Sequence, residues 1–207
     1  MADNEKENIK VNKNSDNKQN VDTKDEKEYI VVNNSPSVGV VYYLVHSIII
    51  AVVVIILLLT FFFRIVNVDG RSMMNTLLDG DKVIVTNFMY EPENNDIVVI
   101  SHAEEYDKPI IKRVIATEGQ SLKIDFENER VYVDGTLLDE PYVSSELKEG
   151  NTKIPEVIPE GKVFVMGDNR LDSLDSRYSE IGLIDEDNII GKAQFVVLPL
   201  TRIQYLY

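Results

Sequence analysis

The spacing of apolar residues divides the chain into three stretches. Residues 1–35 are rich in Asn, Asp, Glu and Lys and show almost no apolar periodicity. Such a stretch cannot bury enough surface to offset its ordering entropy, and is expected to be a disordered tail. The pattern then changes abruptly. No charged residue occurs from Pro36 to Phe63, and Ser47–Phe63 reads SIIIAVVVIILLLTFFF. This exceeds the roughly 20 residues that cross a bilayer core as a helix. Tyr42 and Tyr43 near its start suit the interface, where amphipathic rings are favoured. A cleavable leader would have an apolar region of roughly 7–15 residues ending at a small-residue site. Here the run is longer and continues into FFFRIVNV, so residues 36–63 are expected to be a retained transmembrane helix.

The flanks orient that span. Lys6, Lys10, Lys13, Lys18, Lys24 and Lys27 precede it, whereas only Arg64 and Arg71 lie in the first stretch after it. By the positive-inside rule the tail is cytoplasmic and residues 64–207 lie outside, at the cell membrane. His46, near the start of the span, reads as a headgroup-level residue or a helix partner.

Beyond Arg64 the period shortens. The runs Lys82–Thr86, Asp96–Ile100, Ile110–Ala116, Leu122–Asp125, Arg130–Val133, Lys162–Met166 and Ile189–Val197 are rich in Val and Ile, and Gly, Asn and Asp punctuate them. Asp134-Gly135 predicts a tight hairpin between Val131–Val133 and Thr136–Leu138. No long amphipathic helix or internal repeat is evident. The fold class is therefore mainly β, a single domain after one N-terminal span.

Composition removes several functions. The 207 residues carry a formal charge of −14, so a phosphate backbone would meet repulsion and nucleic acid is not an expected partner. No cysteine is present, which excludes disulfides, a thiol nucleophile and a thiolate metal site. With only His46 and His102, a histidine metal site is not expected.

Three segments hold side chains unusual for their setting. Val68–Leu77 places Ser72 in a glycine-containing turn flanked by methionines. Alone it reads as a serine capping a turn. In Ile110–Ile115, Lys112 shares a strand face with Ile110 and Val114. It is either an edge-strand lysine that discourages aggregation, or a desolvated amine whose pKa falls far enough to act as a base. Gly167–Arg177 crowds acids, amides, arginines and serines after an apolar run. Asp168, Asp172 and Asp175 do not have the spacing of an EF-hand loop.

Together these segments resemble the ordered boxes of bacterial type I signal peptidases. Gly70–Leu77 matches the family's G-x-S-M-x-P-T-L except at Asn75, and Gly80–Val85 resembles the next box. Lys112-Arg113-Val114-Ile115 matches the lysine box, and Gly167–Arg177 matches G-D-N-R-x-x-S-x-D-S-R in full. The resemblance covers the chain from the span to about residue 200 and leaves out the acidic tail. It implies a β-rich Ser–Lys endopeptidase without metal or organic cofactor. Ser72 would be the nucleophile and Lys112 the general base, an amine in place of imidazole. Ser173 would hydrogen-bond and orient the amine, and Asp175 and Arg177 would support the site. Lysine at 112 also sets the chain apart from the endoplasmic-reticulum branch, which carries histidine there.

The Ser72 N–H would serve the oxyanion, helped by the Gly70 N–H or water, since Gly70 stands where some members supply a hydroxyl. The substrates implied are secretory preproteins with small residues at the first and third positions before the bond, with Met73 and neighbouring valines as pocket walls. The anchor would keep the enzyme beside membrane-bound signal peptides, with lipid as its other partner. Asn75 replaces a φ-fixing proline and predicts a less rigid turn. Ala116–Gln120 departs from the family's G-L-P-G-D and leaves that loop's geometry open. Two other readings compete: a repressor-type Ser–Lys self-cleaving peptidase, disfavoured by the span and the charge, and a membrane-tethered scaffold that kept the fold without chemistry.

Overall fold

The computed structural model describes residues 36–206; the tail expected at 1–35 lies outside them. Helix α1, Pro36–Phe62, is continuous over 27 residues. At 1.5 Å per residue it is about 40 Å long, more than a bilayer's hydrocarbon thickness. Its most apolar part, Gly39–Phe62, has a mean hydropathy of 3.0 and none of it is buried by protein. A core helix of a soluble domain would be covered. His46 stacks on Tyr42 one turn earlier, with centroids 6.0 Å apart and planes 5° from parallel.

The strands are β1 (Phe63–Asn67), β2 (Lys82–Thr86), β3 (Ile97–Ile100), β4 (Ile110–Ala116), β5 (Leu122–Asp125), β6 (Arg130–Val133), β7 (Thr136–Leu137), β8 (Lys162–Met166), β9 (Ile184–Asp185), β10 (Ile189–Leu198) and β11 (Gln204–Tyr205). The mainly β class read from the sequence is the observed one. β2, β4, β5, β6 and β8 have the bounds expected of them, while β3 starts one residue later and β10 runs one residue further. The sequence reading had no place for β1, β9 and β11. β1 is hidden because FRIVN continues the apolar run of the helix, and two residues are too few to show a period.

The main sheet is antiparallel in the order β1-β2-β10-β3-β4-β8-β9, with β11 added beside β10. β3 is buried on both faces, which is why it reads as a continuous apolar run instead of alternating. Ile97 and Val99 pack with Val83, Val85 and Val196. Val98 and Ile100 pack with Val114, Val163 and Val165. β5, β6 and β7 form a separate small sheet whose Leu122, Val131 and Val133 pack against Ile115, Phe164 and Met166. Its β6–β7 hairpin turns at Asp134 and Gly135, with φ of 50° and 75°. Two consecutive positive φ values make a tight turn that matches strand twist, and asparagine-, aspartate- and glycine-type residues adopt them at low cost.

Candidate active site

Ser72 and Lys112 lie far apart in the sheet order. Ser72 follows β1 and Lys112 lies in β4, with β2, β10 and β3 between them in the sheet. The connection from β1 to β2 closes this gap by folding back over the sheet. Its neck is tied by Val68 N–H to Asp81 O at 2.8 Å and Gly80 N–H to Val68 O at 3.0 Å. Met73 and Leu77 anchor it in the core beside Val85 and Val99. Burying these two apolar residues leaves half-buried Ser72 facing the lysine.

Lys112 Nζ lies 2.8 Å from Ser72 Oγ and donates to Ile111 O at 3.1 Å. Register puts Lys112 opposite Val98, and only 4% of it is exposed. Burial lowers its pKa from 10.5 to about 8; Asp175 and Asp168 oppose the shift and Arg177 adds to it. Both carboxylates have arginines of their own. Asp175 accepts Arg177 Nε and Nη2, each at 2.8 Å, and both residues are fully buried. Asp168 accepts Arg113 Nε at 2.8 Å and Nη2 at 2.7 Å. Among the described residues the amine therefore has no carboxylate within ion-pair distance to hold it as a cation, and desolvation dominates.

The loop Gly167–Arg177 is assembled around these pairs. Asp175 Oδ2 accepts the Gly167 N–H at 2.9 Å, and Arg177 Nη1 donates to Lys148 O at 2.6 Å and Arg170 O at 2.8 Å. Arg170 pairs with Glu140 and donates Nε to Gly167 O at 3.1 Å. A Cβ at Gly167 would fall 2.3 Å from Ser173 Oγ and 2.4 Å from the Ser72 carbonyl oxygen, so only glycine fits where this loop meets the nucleophile turn.

The surroundings of Ser173 and Gly70 differ from those expected. Ser173 is buried beside Gly167, but its Oγ has no hydrogen-bond partner among the described residues, and Lys112 bonds to Ser72 Oγ and Ile111 O instead. The Gly70 N–H is not free for an oxyanion, because it donates to Asp79 Oδ1 at 2.8 Å. The Ser72 N–H has no hydrogen-bond partner among the described residues. Asn75, in place of the family proline, donates Nδ2 to Ser144 Oγ at 2.7 Å.

An open cleft of about 500 Å³ adjoins Ser72 and Lys112. Val66, Val68, Met73, Val99 and Ile111 supply apolar surface to it. Among the described residues, no group of three or more His, Cys, Asp or Glu side chains is placed to hold a metal ion. The sequence reading gave no role to Asp79, Thr76, Asn169 or the Arg113–Asp168 pair. Thr76, Arg113, Asp168 and Asn169 lie within the matched boxes and Asp79 between two of them, but which side chains meet is set by the sheet order.

A serine hydroxyl against a buried lysine amine on an antiparallel β scaffold is compatible with the nucleophile-and-base arrangement of a serine peptidase. The family model described as "Signal peptidase, peptidase S26" matches residues 41–198, and the chain belongs to that family. Signal peptidase I of Bacillus amyloliquefaciens is 38% identical over 144 residues, covering 64% of this chain and 72% of that protein. Signal peptidase I T of Bacillus subtilis (strain 168) is 37% identical over 149 residues, covering 66% and 75%. Signal peptidase IB of Staphylococcus aureus (strain MRSA252) is 38% identical over 157 residues, covering 67% and 79%. A crystal structure of a signal peptidase I from Enterococcus faecalis V583 aligns with 51% of this chain and 98% of its own, at TM-score 0.41 and 25% identity.

Proposed function

We propose that the chain, a signal-peptide-cleaving peptidase by family, works as a membrane-anchored Ser–Lys endopeptidase on secretory preproteins. The observation that carries this reading is the 2.8 Å approach of a buried Lys112 amine to Ser72 Oγ. That distance lies within the reach a general base needs.

In this mechanism the neutral amine takes the Ser72 hydroxyl proton as Oγ attacks the scissile carbonyl. The Ser72 N–H donates to the developing oxyanion. The ammonium then gives its proton to the leaving amine, which departs as the mature protein's N-terminus, and the signal peptide stays as an ester on Ser72. Water attacks that ester with Lys112 again as base, releasing the peptide acid and restoring the serine. Asp175 and Arg177 hold the loop that backs the site, and Ser173 packs against Gly167 beside the Ser72 carbonyl. Small side chains before the bond suit the apolar cleft. Helix α1 is the anchor, with the lysine-rich tail on the cytoplasmic side and the β domain outside.

The test is cleavage of a preprotein in detergent by wild type, Ser72→Ala and Lys112→Ala. Loss of activity in both variants, with both still folded, supports the mechanism. Cleavage retained by Ser72→Ala overturns it, and a folded wild type that cuts nothing leaves the silent scaffold.

A further inference from the structure

The turn carrying Ser72 and the strand carrying Lys112 are joined a second time, away from the reacting atoms. Thr76 Oγ1 donates to Asp168 Oδ2, and the same carboxylate accepts Arg113 Nε and Nη2 at 2.8 and 2.7 Å. Asp168 is fully buried and Arg113 nearly so. Arg113 adjoins Lys112 in β4 and is itself fixed: Nη1 donates to Asn95 O at 2.8 Å, and the Tyr142 ring covers the guanidinium at 3.8 Å. Asp168 thus bridges the turn to the base's own strand. The next residue, Asn169, takes the near end of the turn, donating N–H to Ser72 O at 3.0 Å and Nδ2 to Arg71 O at 3.2 Å.

Consecutive residues therefore grip the nucleophile turn at two points on either side of Met73 and Met74. Asn169 holds it by backbone carbonyls. Asp168 holds it by the Thr76 side-chain hydroxyl. The bidentate arginine already compensates the Asp168 charge, so the carboxylate does not need the hydroxyl to be stable where it is. What the hydroxyl constrains is the turn.

We infer that Thr76 is a positioning residue, whose hydrogen bond to Asp168 sets the approach of Ser72 Oγ to Lys112 Nζ. The inference rests on the Ser–Lys reading above. Loss of the hydroxyl leaves the fold in place, because the Thr76 carbonyl is held separately by Gln204 Nε2 at 3.0 Å and Arg202 Nη2 at 3.4 Å. Thr76→Val keeps the shape of the side chain and removes the donor, whereas Thr76→Ser keeps the donor and removes a methyl.

The full chain in detergent is compared as wild type, Ser72→Ala, Thr76→Val and Thr76→Ser. Preprotein cleavage is measured together with the first-order rate constant for acylation by a saturating serine-directed probe, which reports folded molecules only. Thr76→Val is expected to lower kcat and the acylation constant about tenfold or more, since small misplacements of reacting groups are costly. KM and the pH midpoint should stay at the wild-type values, and Thr76→Ser should recover most of the rate. An acylation constant for Thr76→Val within twofold of wild type overturns the inference. So does equal loss in Thr76→Ser, which would assign the effect to methyl packing. Cleavage surviving Ser72→Ala would sink the Ser–Lys reading and this inference with it, whereas an inactive Ser72→Ala beside an unaffected Thr76→Val removes the inference alone.

Discussion

Lys112 links the site to pH through one displaced equilibrium. Burial brings its pKa from 10.5 to about 8, so below pH 8 the base is mostly blocked by its own proton. We predict that kcat/KM rises roughly tenfold per pH unit up to about 8 and then levels, because this ratio reports groups of the free enzyme. The effect on stability follows from the same shift. Between about 8 and 10.5 the unfolded chain keeps a proton that the folded chain has released, so this lysine's contribution to stability rises with pH across that window. Urea unfolding of wild type against Lys112→Met, which removes the titration, should show wild type gaining stability relative to the variant from pH 8 to 10. Asp175 and Arg177 behave differently, as a buried pair in which each neutralises the other. Asp175→Asn leaves the arginine uncompensated and should cost roughly 3–5 kcal/mol in urea unfolding. Position 175 was legible as part of a motif. That Asp175 is bonded to Arg177 and Gly167, and that burial outweighs its pull on Lys112, was not.

At the level of elements, the strand runs were readable because Val and Ile cluster between Gly-, Asn- and Asp-rich breaks, and side chains alternate with period two. What failed was local. β1 merges in composition with the helix before it, and β9 and β11 are too short to carry a pattern. The loop after β8 was legible only as a motif, since its shape depends on Gly167 passing against the Ser72 carbonyl. Gly167→Ala should therefore lower activity by at least about tenfold, because the added methyl meets backbone that cannot swing aside as a side chain can. Adding Ser173→Gly relieves only one of the two collisions and should not restore the rate. Recovery in that double variant would place the constraint on Ser173 instead.

For the whole molecule, the anchor is expected to act through concentration, not chemistry. A chain beginning at Phe63 should keep its rate on a short soluble peptide yet lose at least about tenfold on a preprotein embedded in vesicles, since tethering confines both partners to one surface. Equal loss on both substrates would show that the helix supports the fold itself. The sequence by itself determined the local properties: an apolar run long enough to span, strands where β-branched residues alternate or cluster, and a serine and a lysine in recognisable settings. These follow from side-chain chemistry within a few residues. Tertiary structure decided which of those residues meet. The sheet order sets three strands between β1 and β4, and only the folded-back connection, anchored by Met73 and Leu77, brings Ser72 to Lys112. It also paired Asp168 with Arg113 and Asp175 with Arg177, occupied the Gly70 N–H with Asp79 and left Ser173 Oγ without a hydrogen-bond partner among the described residues. The lysine's lowered pKa is the clearest case, because desolvation depends on everything packed around the amine and on none of its neighbours in sequence alone.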